Sequence, residues 1–286
     1  YSRLRIIGLP NQTLTVTTTD FTPAGATEVA TAAYTLTTDN NGNAFLYGVF
    51  AEGATVRVKQ GDVILKDYTF TESTANGKSY ALGAMPVIDG TLGGKTTATE
   101  EEVNALVEQL KAYVDNGITT IIVPGSNPAM IDMVSWTNTA IGEAIYRLSG
   151  SDDYDENNPY NGKIDLILPD VTEIVDQEFY SAWALNSITL PKVIKIGDEA
   201  FHRTWFLKTI TFESVLTEVN ETGGVMFAQV GKEVEGCDLI LNCGQMNESS
   251  VPAPDLTNNI WKFKFENEFK SITLTHTGEC DECKAQ

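Results

Sequence analysis

The chain has 286 residues, 42% of them hydrophobic and 20% charged, with a net charge of −20 at pH 7. That mixture is globular rather than disordered, and the length exceeds what one core usually needs, so two domains are expected. The acidic excess repels nucleic acid, which proteins bind by placing Lys and Arg on phosphates, and no apolar run reaches the about 18 residues of a membrane span.

The acidity is uneven. Residues 1–90 carry eight acids against six bases, whereas 91–160 carry eleven against three. Such an excess keeps a surface from self-associating, or offers a docking face to a basic partner. The chain starts at Tyr1, without Met and without a signal-like apolar segment, which fits a removed leader or an excised piece.

Residues 1–86 read as β structure. Runs such as "TLTVTTT", "NAFLYGVF" and "VILKDYTF" are short and rich in Thr, Val, Tyr and Phe. Turn signals such as Pro10-Asn11, Asn40-Asn41-Gly42 and Asn76-Gly77 separate them, and strands at this spacing predict a β-sandwich. "VRVKQGDVILKDYTF" predicts a hairpin with Arg57, Lys59 and Lys66 toward water and Val56, Val58, Ile64 and Leu65 toward the core. Asp39, Asn41 and Asn43 have the alternate spacing of an ion loop, but Ala44 stands where such a loop needs Gly, so a plain turn is expected.

Residues 87–98 form a Gly/Thr-rich linker. A helix over 99–116 follows, opened by Thr99 and Glu102 as a capping box and stopped by Gly117. Val103, Leu106, Val107, Leu110 and Val114 fall on one face of it. "TTIIVPG" is a strand. Residues 126–162 predict one or two helices and then an acidic loop with Asp152, Asp153, Asp155 and Glu156. The loop lacks the Gly and terminal Glu of a calcium site and reads as a solvated insertion.

Beyond residue 163 the chain repeats itself. At an offset of 22 residues Leu168 meets Leu190, Ile174 meets Ile196, Phe179 meets Phe201, Trp183 meets Trp205 and Ile188 meets Ile210. A period in this range predicts stacked coils that share one core. The segments "LPDVTEIVDQEF" and "LPKVIKIGDEAFHRTWFLKTITF" resemble the BspA-like leucine-rich repeats of bacterial surface proteins, with Ala182 and Thr204 where that family often has Cys. The resemblance covers about 164–215 and weakens on both sides. It implies a mainly β protein with some α: an Ig-like or fimbrillin-like β-sandwich at 1–86, then a leucine-rich-repeat solenoid over 99–286 capped by the 99–116 helix. It also implies a secreted or outer-surface adhesion protein that binds protein or glycan ligands on host or neighbouring cells, with room for a lipid anchor upstream. A structural subunit or spacer, and a carbohydrate-binding module, are the alternative functions.

Within the repeat, Tyr180, Trp183, His202, Trp205 and Phe206 are the candidate ligand-binding residues. Equivalent tryptophans on adjacent coils would stack into a ledge suited to a sugar face or an Arg-rich patch; the alternative is that the rings pack against the insertion or the neighbouring domain. Catalysis is not expected. The two histidines, His202 and His276, stand in no recognisable nucleophile arrangement, and the phosphate-loop, zinc-protease and nucleophile-elbow motifs are missing from the sequence. No cofactor is expected. Cys237, Cys243, Cys280 and Cys283 have poor spacing for zinc; the "CDEC" pair reads as a tail disulfide or free thiols, with zinc or redox roles as lesser alternatives.

Overall fold

The structure, a computed structural model, describes residues 1–75, 77–151, 153–219, 226–242 and 268–275. It divides into two compact units, one of residues 1–87 with 115–118 and the other of 88–114 with 119–286. No helix among the described residues is long and apolar enough to cross a membrane. Cys243, His276, Cys280, Cys283 and Asp152 lie outside the described residues.

The first unit is built from β1 (Ser2–Ile7), β2 (Thr13–Pro23), β3 (Ala30–Thr37), β4 (Asn43–Phe50), β5 (Thr55–Gln60), β6 (Val63–Thr69) and β7 (Ser79–Gly83). They form one hydrogen-bonded sheet in the order β6-β5-β2-β4-β1-β7, with β3 also on β2. The long strand β2 makes this possible. Thr15–Thr18 pair with β5, Phe21–Pro23 pair with β4, and between them the register shifts and Asp20 takes φ 49°. A bulge of this kind bends a strand sharply, so both halves of the sheet contribute to one core. Leu4, Ile6, Leu14, Val16, Leu46, Val56 and Val58 enter it from alternate positions, and Phe50 stacks between Phe21 and Phe70 at 4.4 and 4.5 Å. The expected Ig-like sandwich of two separate sheets is thus corrected to one continuous, bent sheet. The hairpin also differs in one place. A bulge pairs Lys59 with Ile64 directly after Val58 with Lys66, so Ile64 turns outward and is 45% exposed.

The second unit opens with Ile88, fully buried and bonded through its N–H to the Ile122 carbonyl. Its elements are β8 (Thr97–Ala98), α1 (Glu100–Asp115), β9 (Thr120–Ile122), β10 (Met130–Ile131), α2 (Ala140–Leu148), β11 (Ile164–Ile167), β12 (Glu173–Ile174), β13 (Leu185–Leu190), β14 (Lys195–Ile196), β15 (Thr209–Phe212), β16 (Glu218–Val219), β17 (Asp238–Asn242) and β18 (Ser271–Thr275). Thr99 and Glu102 cap α1 reciprocally: the Thr99 N–H donates to the Glu102 carboxylate at 2.9 Å and the Glu102 N–H to the Thr99 hydroxyl at 3.4 Å. The helix buries Val103, Leu106, Val107 and Leu110, and Tyr113 instead of Val114.

A six-stranded parallel sheet runs β18-β17-β15-β13-β11-β9, and a three-stranded one runs β12-β14-β16. The 22-residue offset appears as ladder register where Ser187 pairs with Thr209 and Ile188 with Ile210. Phe179, Phe201 and Phe227 stack in turn at 5.7 and 5.6 Å. Ala182 and Thr204 are both fully buried, and Thr204 satisfies its hydroxyl by donating to the Phe201 carbonyl.

That regularity is local. Asp165 pairs with Thr120, far more distant in sequence, and Asp238 pairs with Thr209 on one side and Ser271 on the other at unequal separations. The return segments between strands are turns, and α1 and α2 are the two helices among the described residues. The expected helix-capped leucine-rich-repeat solenoid is therefore corrected. The unit is a mixed assembly of parallel sheets with unequal crossovers, without the repeating curvature that class requires. The resemblance to BspA-like proteins falls with it, because its basis was a pattern confined to about two crossovers.

Candidate functional site

The five ring positions singled out in the sequence do come together, but mostly under cover. Trp183 and Trp205 stack at 5.0 Å with their planes 20° apart. They are 1% and 8% exposed, and Tyr180 is also buried. The Trp183 indole N–H donates to the Arg203 carbonyl at 2.8 Å, and that of Trp205 to the Gln229 side chain at 3.1 Å, so both polar tips are satisfied. The cover is Tyr154 from the acidic insertion, which meets both tryptophans edge-on at 5.1 and 4.9 Å and also neighbours Phe206. Burial raises the pKa of its phenol. Lys232 and Arg203 sit over the Trp205 ring at 4.5 and 5.1 Å. His202 meets Tyr180 edge-on, and burial holds its pKa below the usual histidine value. The ledge is an internal stack roofed by the insertion.

Tyr154 is itself 39% exposed, and a more exposed aromatic ring lies at Trp136, beside the fully exposed Val134. Its ring stacks on Tyr180 at 5.3 Å with planes 18° apart, and it remains 48% exposed. What holds it is built from α2 upward. Thr139 caps that helix, accepting from the Gly142 N–H. Gly142 is required there, since a Cβ would lie 2.0 Å from the Glu178 carbonyl oxygen. Glu143 follows in the first turn and Arg147 one turn later, at the spacing that lets them pair; Nε to Oε1 is 2.7 Å. The other carboxylate oxygen of Glu143 accepts from the hydroxyls of Ser135 and Thr137. A single buried carboxylate thus grips the residues on both sides of Trp136. Arg147 extends the grip to α1, donating to both oxygens of Glu100 and to Asn104. Its pKa is raised, chiefly by the Glu100 hydrogen bonds.

Beside this knot is an open groove of about 930 Å³, lined by Asn104, Glu108 and Lys111 of α1, by Val134, Ser135 and Trp136, and by Tyr146 and Ser151. Comparison of the chain with protein-family models, curated proteins and solved structures gave no match.

The groove must therefore be read from its own chemistry. Glu143 has its two oxygens occupied by Arg147, Ser135 and Thr137. A carboxylate so fully bonded is poorly placed to exchange protons with a ligand. Among the described residues Glu178 is the other buried acid, pushed up to about 7 by burial. It accepts from the Val175 N–H and meets the Thr139 hydroxyl at the start of α2, a structural position that does not line the groove. Among the described residues no three His, Cys, Asp or Glu side chains are grouped to hold a metal. Asp39 and Asp155 instead accept backbone N–H groups two residues on, closing turns. Cys237 is a buried thiol whose pKa burial raises strongly. The arrangement presents a held aromatic face beside hydrogen-bonding groups, which suits binding.

Sequence reasoning passed over Trp136, Tyr154, Glu143 and Arg147. Two signals were present: a tryptophan inside the polar run "SWTNT", and a Glu-to-Arg spacing of four residues directly after a Thr cap.

Proposed function

We propose that the second unit is a recognition module, binding a macromolecule displayed on a cell or matrix surface, and that it does so without catalysis. The observation that carries this reading is Trp136: a half-exposed aromatic ring at the mouth of a groove, with both sequence neighbours fixed by one carboxylate. An aromatic group held in its bound position loses little conformational freedom on contact, which is how a few residues come to dominate binding. The groove's hydrogen-bonding groups then supply orientation. The setting that fits is the outside of a cell, on a protein or glycan ligand.

The test is an array of matrix proteins and glycans probed with the intact protein and with Trp136→Ala. Binding to at least one class of ligand, reduced at least tenfold in the variant, supports the reading. Binding that is unchanged in Trp136→Ala removes it. Catalysis is tested separately: turnover of any bound ligand, read by mass spectrometry of the released products, would overturn the non-catalytic part.

A further inference from the structure

We infer that the ligand of the Trp136 groove is an uncharged oligosaccharide segment; this rests on the recognition reading above and narrows it to one chemical class. Three features point the same way. The first is the ring itself. One face of Trp136 lies on Tyr180 and the residue is still 48% exposed. Its free surface is flat, apolar and electron-rich, complementary to the C–H groups that cover one side of a pyranose ring.

The second is charge. The groove contains charged groups, but they are matched within the protein. Lys111 pairs with Glu108 at 2.9 Å, and Arg147 pairs with Glu143 and Glu100. An anionic ligand would have to take Arg147 from Glu143 and Glu100, whereas the Lys111–Glu108 pair, with side chains 37% and 72% exposed, is held only weakly. Lys111 and Glu108 nevertheless keep hydrogen-bonding capacity: an ammonium has three donors and a carboxylate about four acceptor sites. The lining's acids Glu108 and Glu143 balance its bases Lys111 and Arg147, so with Asn104, Ser135 and Ser151 it offers donors and acceptors without net charge, suited to hydroxyl groups, while Glu100 lies just outside it.

The third is shape. At about 930 Å³ the groove is at the large end of small-ligand sites. It is partly open to solvent, and that volume suits a stretch of a polymer better than one sugar. A protein partner would be expected to need several desolvated anchors. Here the guanidinium of Arg147 is committed to Glu100, Glu143 and Asn104. One platform in an open groove implies a modest affinity, on the order of 0.1–1 mM per site.

The experiment is affinity electrophoresis of the full chain through gels containing α-glucan, β-glucan, mannan, galactan or xylan, with polygalacturonate as the anionic polymer. Retardation by at least one neutral polymer is expected, weakened at least tenfold in Trp136→Ala and largely kept in Trp136→Phe, with circular dichroism checking that both variants fold. No retardation by any neutral polymer, retardation by polygalacturonate alone, or equal retardation of Trp136→Ala each overturns the inference. If the neutral polymers fail while a matrix protein binds in a Trp136-dependent way, the glycan class is wrong and the recognition reading survives. If no binding depends on Trp136, both are wrong.

Discussion

The two units solve the same problem, burying one face of each strand, by opposite means. In the first, most neighbouring strands are antiparallel and several are joined by tight turns, so register is settled locally; β5 and β6 pair across Gly61 and Asp62. In the second, sheet neighbours are parallel, and each step requires a long crossover. Register there is settled by like side chains stacking on like, as with Phe179, Phe201 and Phe227. The crossovers are then free to differ in length. The segment between β9 and β11 is much longer than those between β11, β13 and β15, and it carries α2, Trp136 and Tyr154. A parallel sheet tolerates such an excursion because loop closure costs rise slowly with length. The candidate site is formed between that excursion and α1, and it leaves the ladder uninterrupted.

Breaking the stack should have the largest effect. Phe201 is fully buried between two rings, so Phe201→Ala should cost about 3–5 kcal/mol in urea unfolding. A loss under about 1 kcal/mol would mean that the rings do not set the register of the parallel unit.

The buried acid should give the next largest effect, and with a definite sign. Burial raises Glu178 from 4.5 to about 7. Between those values the folded chain holds a proton that the unfolded chain has released, so Glu178 subtracts stability as pH rises from about 4.5 to about 7, and the loss is level above that. The loss is at most about 3 kcal/mol. Glu178→Gln should flatten that slope, being more stable than the parent at pH 8 and similar to it near pH 4. Parallel slopes for the two proteins would show that the carboxyl is wet.

Arg147 sharpens the comparison at the site itself. Arg147→Ala leaves the Glu143 carboxylate buried without its cation. It should destabilise by about 2 kcal/mol, less than in a fully buried pair because the guanidinium is partly wet. It should also raise quenching of tryptophan fluorescence by acrylamide, because the loop around Trp136 loses its anchor to α1. A stability loss without that change would separate Arg147 from the positioning of Trp136. The smallest effect belongs to the first unit's exposed pair, Arg57 and Asp67, bonded at 2.7 and 2.9 Å. Replacing Arg57 by Ala should leave the unfolding midpoint unchanged within error, as for most ion pairs in water.

The legibility of the sequence follows the same division. The capping box at Thr99 and Glu102, the Val56 and Val58 alternation and the 22-residue match between Phe179 and Phe201 are short-range patterns, and they could be read directly. The sandwich was misread because the bend at Asp20, which keeps the sheet continuous, depends on which strands flank β2. The solenoid was misread because a match over two crossovers says nothing about the lengths of the others. Ile64 was misplaced by a one-residue bulge. Trp136 was passed over for a different reason: its loop is ordered by Glu143, seven residues on in "IGEAIYRL", which pairs with Arg147 of the same helix, and only Arg147 reaches across to Glu100 of α1. Burial of the Trp183 and Trp205 pair likewise depends on Tyr154, which arrives from the insertion.

The most direct test of the account is hydrogen exchange of the intact protein with and without a ligand that retains it on the array. Protection confined to 133–137, to the α1 segment 104–111 and to 146–151 is the predicted result. Protection over the Tyr154 cover or on the strands of the first unit, with 133–137 unchanged, would contradict it.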